Sequence, residues 1–177
     1  MSALQSTQAG PTRPQGGIVI SGGASGMGLA LARRLVEQGG PVALFDVASG
    51  PLEAAADELA SGPGPAFTYW VDTADEAAVE AAMAEAETAM GGIAGAVAAA
   101  GVRQTATPVL DLSLEEWERI FRVNVRGAFI FVRAAARRMR ERGGSIVTVA
   151  SVLANRSRLG GVAYGASKAA VLRMTQG

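Results

Sequence analysis

Ile18-Val19-Ile20-Ser21-Gly22-Gly23-Ala24-Ser25-Gly26-Met27-Gly28-Leu29-Ala30 decides how this chain is read. Three β-branched residues open it, an apolar run that suits a buried strand. Glycines then crowd a turn, and Leu29, Ala30, Leu31 and Ala32 begin a helix. Strand, glycine turn and helix together make an anion cradle. Glycine lets the backbone approach a pyrophosphate, and unpaired N–H groups at the helix N-terminus face it. The spacing is G-x-x-x-G-x-G over Gly22, Gly26 and Gly28. The plainer alternative is a glycine turn that only permits close helix–strand packing. A second apolar run, Val42-Ala43-Leu44-Phe45, favours the cradle. It ends in Asp46, 20 residues after Gly26, where a carboxylate can accept from ribose hydroxyls.

Outward from this unit the alternation repeats. Helices are predicted over about 28–38, from 49 to near 61, over 76–90, and from 164 to the end. A long helix follows a capping box at Ser113 and Glu116, with Trp117, Phe121, Ala128, Val132 and Met139 at helical spacing. Strands are predicted over 42–46, 66–71, 93–99 and 145–149. This order implies an α/β fold of the Rossmann type, a doubly wound parallel sheet with right-handed crossovers. In such sheets ligands sit beyond the carboxyl ends of the strands. The distinctive residues fall there: Gly22 to Gly28, Asp46, Asp72, Gly101 and Ser151.

Composition narrows the chemistry. The chain has 177 residues, one domain's worth, and zero formal net charge, which speaks against a dedicated nucleic-acid or anionic-membrane binder. It has no cysteine and no histidine. That excludes disulfides, thiol catalysis, Ser–His triads and the usual zinc sites, so no metal is expected. Residues 1–16 are rich in Ser, Thr, Gln, Pro and Gly and read as a disordered arm without a signal peptide's apolar core. No apolar run is long enough for a membrane span, and a cytoplasmic location is expected.

Tyr164-Gly165-Ala166-Ser167-Lys168 carries the sharpest chemical signal. Tyrosine and lysine at i, i+4 share a helix face, and an ammonium near a phenol favours the phenolate. Such a tyrosine could exchange a proton with an alcohol or carbonyl near neutral pH. Lys168 is the only lysine beside fifteen arginines, so chance placement is a poor explanation. Ser151, 13 residues earlier, could donate a hydrogen bond to a substrate oxygen. Asn124, beside Gly127 inside the long helix, suggests a local break bridged by water or a side chain, with a satisfied buried amide as the alternative. Arg133, Arg137, Arg138, Arg140 and Arg142 cluster near that helix's end and raise the competing idea of a basic interaction helix. Cations there also complement the helix dipole.

From Gly17 onward the chain resembles the short-chain dehydrogenase/reductase family. Ser21 to Gly28 is similar to its T-G-x-x-x-G-x-G motif, with Ser for Thr. Val123-Asn124-Val125 is similar to its asparagine motif, and Ser151, Tyr164 and Lys168 match its serine and Y-x-x-x-K. The resemblance implies an NAD-binding Rossmann domain over 17–177 that also carries the catalytic residues. It implies that Tyr164 is the general acid–base and that Lys168 lowers its pKa and holds the nicotinamide ribose. Ser151 would orient substrate and Asn124 would anchor a relay water. Gly22, Ser25, Gly26, Met27, Gly28, Asp46, Val47, Asp72, Thr73, Ala99, Gly101, Tyr164 and Lys168 would hold the cofactor, Asp46 selecting NAD by repelling an extra phosphate.

The implied activity is interconversion of a small-molecule secondary alcohol and a carbonyl, in a homodimer or homotetramer. Two departures stand out. The family's N-N-A-G appears as Ala98-Ala99-Ala100-Gly101, and the chain is C-terminally short of the usual family length. The second raises the alternative of a truncated, non-catalytic nucleotide-binding remnant. Local similarity to dihydro-dihydroxybenzoate dehydrogenases over 144–170 adds a narrower substrate reading, a cyclic dihydrodiol acid oxidised to a catechol. Arg156 or Arg158 would then meet its carboxylate.

Overall fold

A computed structural model describes residues 15–156 and 158–176. Most of the expected arm, 1–14, lies outside the described residues. Five parallel strands form one sheet: β1 (Gly17–Ser21), β2 (Val42–Asp46), β3 (Ala66–Trp70), β4 (Ile93–Ala98) and β5 (Ser145–Thr148). Their order is β3-β2-β1-β4-β5, so the chain reverses direction across the sheet between β1 and β4. That reversal leaves a crevice above the carboxyl ends of these two strands.

Alternate residues of one strand serve two cores, as the pleat requires. Val19, Ala43 and Phe45 face α3 (Glu76–Met90) and α5 (Ala128–Met139), joining Val79, Met83, Phe131 and Ala134. Ile20, Val42 and Leu44 face α1 (Gly26–Glu37) and α2 (Ser49–Leu59), joining Val36, Leu52 and Leu59. Phe45 meets Phe131 edge-on, with ring centroids 5.6 Å apart, an arrangement the ring quadrupoles favour.

Several boundaries differ from the sequence reading. Helix α1 starts at Gly26, not Gly28. Strands β3, β4 and β5 each stop one residue early, although ladder bonds carry on beyond them: Val71 N–H donates to Asp46 O, Ala99 N–H to Ser21 O and Val149 N–H to Ala98 O. The long helix is three pieces: α4 (Leu114–Phe121), a π-helical segment (Arg122–Gly127) and α5. Ser113 caps α4 by accepting from Glu116 N–H at 3.2 Å, but the box is half made. The Glu116 carboxylate takes the Arg119 guanidinium at 2.7 and 2.9 Å instead of reaching back. Helix α6 (Val162–Thr175) begins two residues before Tyr164.

The arginine cluster has partners. Arg133 pairs with Glu76, Arg137 with Glu80 at 2.9 Å, and Arg138 with Glu80 and Glu87 at 3.3 and 3.4 Å. These cations face the acids of α3, which accounts for much of the basic run without a nucleic-acid partner. No helix among the described residues is long and apolar enough to cross a membrane.

Candidate active site

The crevice begins at the glycine turn. Gly22 adopts φ +69°, and a Cβ there would lie 2.8 Å from the backbone of Ala100. Gly28 is buried, and a Cβ on it would meet the carbonyl of Gly22. Both close approaches need the hydrogen side chain. Gly22 and Gly23 donate their N–H groups to Phe45 O at 2.8 and 3.3 Å, which ties the turn to β2. Ser25 caps α1 without a side-chain hydrogen bond, and no acid sits in the first turn. The first N–H groups of the helix therefore lack a side-chain acceptor, the arrangement a phosphate fits.

Asp46 holds two backbone segments at once. Its Oδ2 accepts from Ala24 N–H and its Oδ1 from Ala48 N–H, each at 3.1 Å. The carboxylate is thereby fixed at the rim with lone pairs remaining for further donors. A crevice of about 520 Å³ runs from Gly22 and Ser25 past Asp46 and Val47 to Asp72, Thr73, Ala99 and Gly101, with Gly26, Met27 and Gly28 on its wall. Every residue expected on the dinucleotide side, apart from Tyr164 and Lys168, lines it. A dinucleotide fits this donor set: a glycine cradle, open helix N–H groups and a rim carboxylate.

Tyr164 and Lys168 lie beyond Gly101, on α6. Lys168 is buried, and its Nζ donates to Val149 O at 2.8 Å. A Cβ on Gly101 would lie 3.3 Å from that Nζ, so the ammonium reaches the crevice wall. It also stands 5.9 Å from the centroid of the Tyr164 ring. Burial disfavours the charged form and holds Lys168 below the ordinary lysine range. Ser151 ends the β5 loop and caps the short 3₁₀ turn Val152–Ala154, its Oγ accepting from Leu153 N–H at 3.2 Å. Leu153 O in turn lies 3.2 Å from where a Gly165 Cβ would be, which sets that turn close against the first turns of α6.

Asn124 is the anchor between these parts. Its Oδ1 accepts from Val102 N–H at 2.7 Å, and its Nδ2 donates to Val102 O and Ser167 Oγ, both at 3.0 Å. The expected break at Asn124 is present as the π-helical segment, and the bridge is this side chain. Gly127 completes it: a Cβ there would sit 2.6 Å from Thr73 Oγ1.

A family model for short chain dehydrogenases matches residues 17–177. The chain belongs to the short-chain dehydrogenase family. One relative is a 2-dehydro-3-deoxy-L-rhamnonate dehydrogenase (NAD(+)) of Sphingomonas sp. (strain SKA58), 33% identical over 159 residues, or 89% of this chain and 62% of that protein. Another is the 2,3-dihydro-2,3-dihydroxybenzoate dehydrogenase of Bacillus subtilis (strain 168), 38% identical over 158 residues, 89% of this chain and 60% of that protein. Among solved structures, NAD+-bound xylitol dehydrogenase superposes with a TM-score of 0.88 at 29% identity, covering 94% of this chain and 64% of that one. The chain thus spans less than two thirds of the length of these relatives. The expected cofactor, NAD, agrees with two of these three names.

In this short-chain dehydrogenase, backbone N–H groups just after β4 tie that strand to β1. Of the two positions where the motif's asparagines would be, Ala98 and Ala99, the second donates its N–H to Ser21 O at 3.1 Å, and the next residue donates Ala100 N–H to Ser21 Oγ at 3.3 Å. Ser21, the residue that departs from the usual threonine, keeps the hydroxyl that this second bond needs.

Two residues escaped the sequence reading. Arg122 lines the crevice and pairs with Asp72 across 50 residues of chain. Gln104 accepts with Oε1 from Ala163 N–H at 3.0 Å and Tyr164 N–H at 3.2 Å, capping α6 from another loop. This cap explains why α6 starts at Val162. No local sequence signal marks either residue.

Proposed function

We propose that this chain binds NAD(H) and interconverts a secondary alcohol and a carbonyl. The observation that carries the reading is the buried Lys168 ammonium, held by Val149 O against Gly101 and facing the Tyr164 ring. The dinucleotide would lie along the crevice from Gly22 to Gly101, its pyrophosphate on the open end of α1 and a ribose at Asp46. A second negative charge beside that carboxylate is unfavourable, which supports NAD over its phosphorylated form. When bound, the nicotinamide supplies the acceptor or donor of the hydride.

The chain's own residues move the proton and hold the oxygen. In the oxidation direction Tyr164 Oη takes the hydroxyl proton, and in reduction it returns it. The Lys168 charge stabilises the phenolate that forms, and burial strengthens that interaction by excluding water. The Ser151 hydroxyl donates to the substrate oxygen. Asn124 acts by position, tying the loop after β4 to the helix that carries Tyr164.

Two of the relatives named above act, by their names, on hydroxylated acids, a rhamnonate and a benzoate. This favours an alcohol bearing a carboxylate, with the cyclic dihydrodiol acid as its narrower form. A homodimer or homotetramer, in the cytoplasm, completes the proposal. Trp117 and Phe121, stacked at 4.5 Å, and the exposed Phe129 border an apolar groove on the outer face of α4 and α5 that a second copy would cover. Sedimentation of wild type and Phe129→Glu tests this, and a wild-type monomer would refute it.

The activity test is NAD+ reduction with a panel of secondary alcohols, comparing wild type with Tyr164→Phe. Equal turnover removes Tyr164 from the chemistry. A chain that binds NADH yet turns over no alcohol or carbonyl would be the nucleotide-binding remnant.

A further inference from the structure

Gln104 does more than cap α6. Its two N–H partners fix the orientation of the side-chain amide, because only an oxygen can accept from both Ala163 and Tyr164 N–H. The Nε2 group therefore points the other way. It is buried and has no hydrogen-bond partner among the described residues. A buried donor left alone is costly, and the described residues leave Nε2 open to an acceptor that enters beside it.

The surroundings say what kind of acceptor. Gln104 borders a cavity of about 70 Å³ shared with Tyr164, Arg103, Arg158 and Leu153. Two water molecules' share of liquid volume, or a carboxylate, fits such a space. Among the described residues no acid lines it, and two arginines do. Its wall is fixed where two loops meet: Thr107 N–H donates to Gly160 O at 3.1 Å, and Gly160, at φ +70°, would place a Cβ 2.8 Å from Thr107 N.

We propose that Gln104 is a specificity-determining residue whose Nε2 donates to an anionic oxygen of the substrate, a carboxylate, in the small cavity beside Tyr164. The inference rests on the alcohol–carbonyl reading above and adds to it the residue that would recognise the acid group. Arg103 and Arg158 supply the positive potential, and Gln104 supplies the directed donor. One side chain then aligns the proton-transfer helix with one oxygen and the substrate with the other end of its amide.

Gln104→Glu separates the two functions. It keeps an oxygen facing the Ala163 and Tyr164 N–H groups and replaces the donor with a second carboxylate oxygen. Calorimetric binding of 3-hydroxycyclohexanecarboxylate and of the uncharged 3-methylcyclohexanol is measured on the full chain, with and without NADH. Wild type is expected to bind the acid at least about tenfold more tightly than the neutral alcohol. Gln104→Glu is expected to lose about 10- to 100-fold of acid affinity, with Tm and NADH affinity held. Gln104→Met, which removes the cap as well, should lose acid affinity and also lower Tm. Equal binding of the two probes by wild type, absence of binding included, overturns the proposal. So does unchanged acid affinity in Gln104→Glu, as a cavity that holds only water would give, or an equal loss for both probes. If wild type turns over no alcohol or carbonyl while the acid preference stands and responds to Gln104→Glu, the alcohol–carbonyl reading fails and the acid site survives.

Discussion

The two halves of the sheet are built differently. Around β1 and β2, Val19, Ile20, Val42, Ala43, Leu44 and Phe45 are all fully buried, and backbone hydrogen bonds tie the glycine turn above them to β2. Around β5, Val147 is 54% exposed, and the residues near Tyr164 arrive on two loops that meet only in the folded chain. The crevice half, along β1 and β2, is a short local motif set into a dense core. The Tyr164 half is an assembly of distant segments held by single side chains such as Asn124 and Gln104. Burial on both faces makes the first half insensitive to detail elsewhere, whereas the second depends on a few buried polar contacts whose loss leaves a partner unsatisfied.

That contrast can be broken most sharply at Tyr164. Tyr164→Phe should lower turnover by about 100- to 10,000-fold while NADH binding and Tm stay close to wild type. A parallel loss of NADH affinity would mean that the two halves are not separable. Gly22→Ala attacks the other half. A methyl group forced against Ala100 at a positive φ should cost about 1–3 kcal/mol of stability and weaken NADH binding, measured by thermal unfolding and fluorescence titration. If NADH binds normally to that variant, the glycine turn is not the cradle.

Lys168 links the halves, and its burial has a pH signature. Its folded-state pKa lies below its unfolded value, so between the two the unfolded chain binds the extra proton. The burial penalty is therefore present below the folded pKa and relieved as pH rises toward about 10.4, the free lysine value. Wild type should gain stability relative to Lys168→Met across that window, with a slope of at most about 1.4 kcal/mol per pH unit. Denaturant midpoints of both proteins across the window test the sign, and a flat difference would show that Lys168 is not desolvated. The smallest effect is expected at Ser113→Ala. Loss of the α4 cap should cost about 1 kcal/mol and leave NADH binding unchanged, since α4 lies outside the crevice wall.

The legibility of the sequence follows the same division. The glycine turn, Asp46 at its rim and the parallel order of elements were readable because each is encoded within a few neighbouring residues: strand alternation, a glycine turn, an acid closing a strand. The Tyr164–Lys168 pair was readable for the same reason, since one helical turn joins them. The long helix was only half readable. Asn124 and Gly127 pointed to a break, but its π-helical form depends on Val102, Ser167 and Thr73, which the local sequence does not specify. Arg122 gave no signal because its partner Asp72 lies on the far side of α3, and the Arg133, Arg137 and Arg138 run read as a free basic face until α3 supplied Glu76, Glu80 and Glu87.

By itself the sequence determined the Rossmann-type alternation, the glycine turn with an acid closing β2, and the one-turn spacing of Tyr164 and Lys168, because backbone propensity, turn chemistry and helical spacing act over short stretches of chain. The tertiary structure alone decided which loops meet: Gln104 at the start of α6, Asn124 on Val102, Asp72 with Arg122. Those meetings follow from the strand order β3-β2-β1-β4-β5, which brings the loops after β4 and β5 beside one another and beside α6. No local pattern encodes that neighbourhood, because it exists only once the sheet has formed.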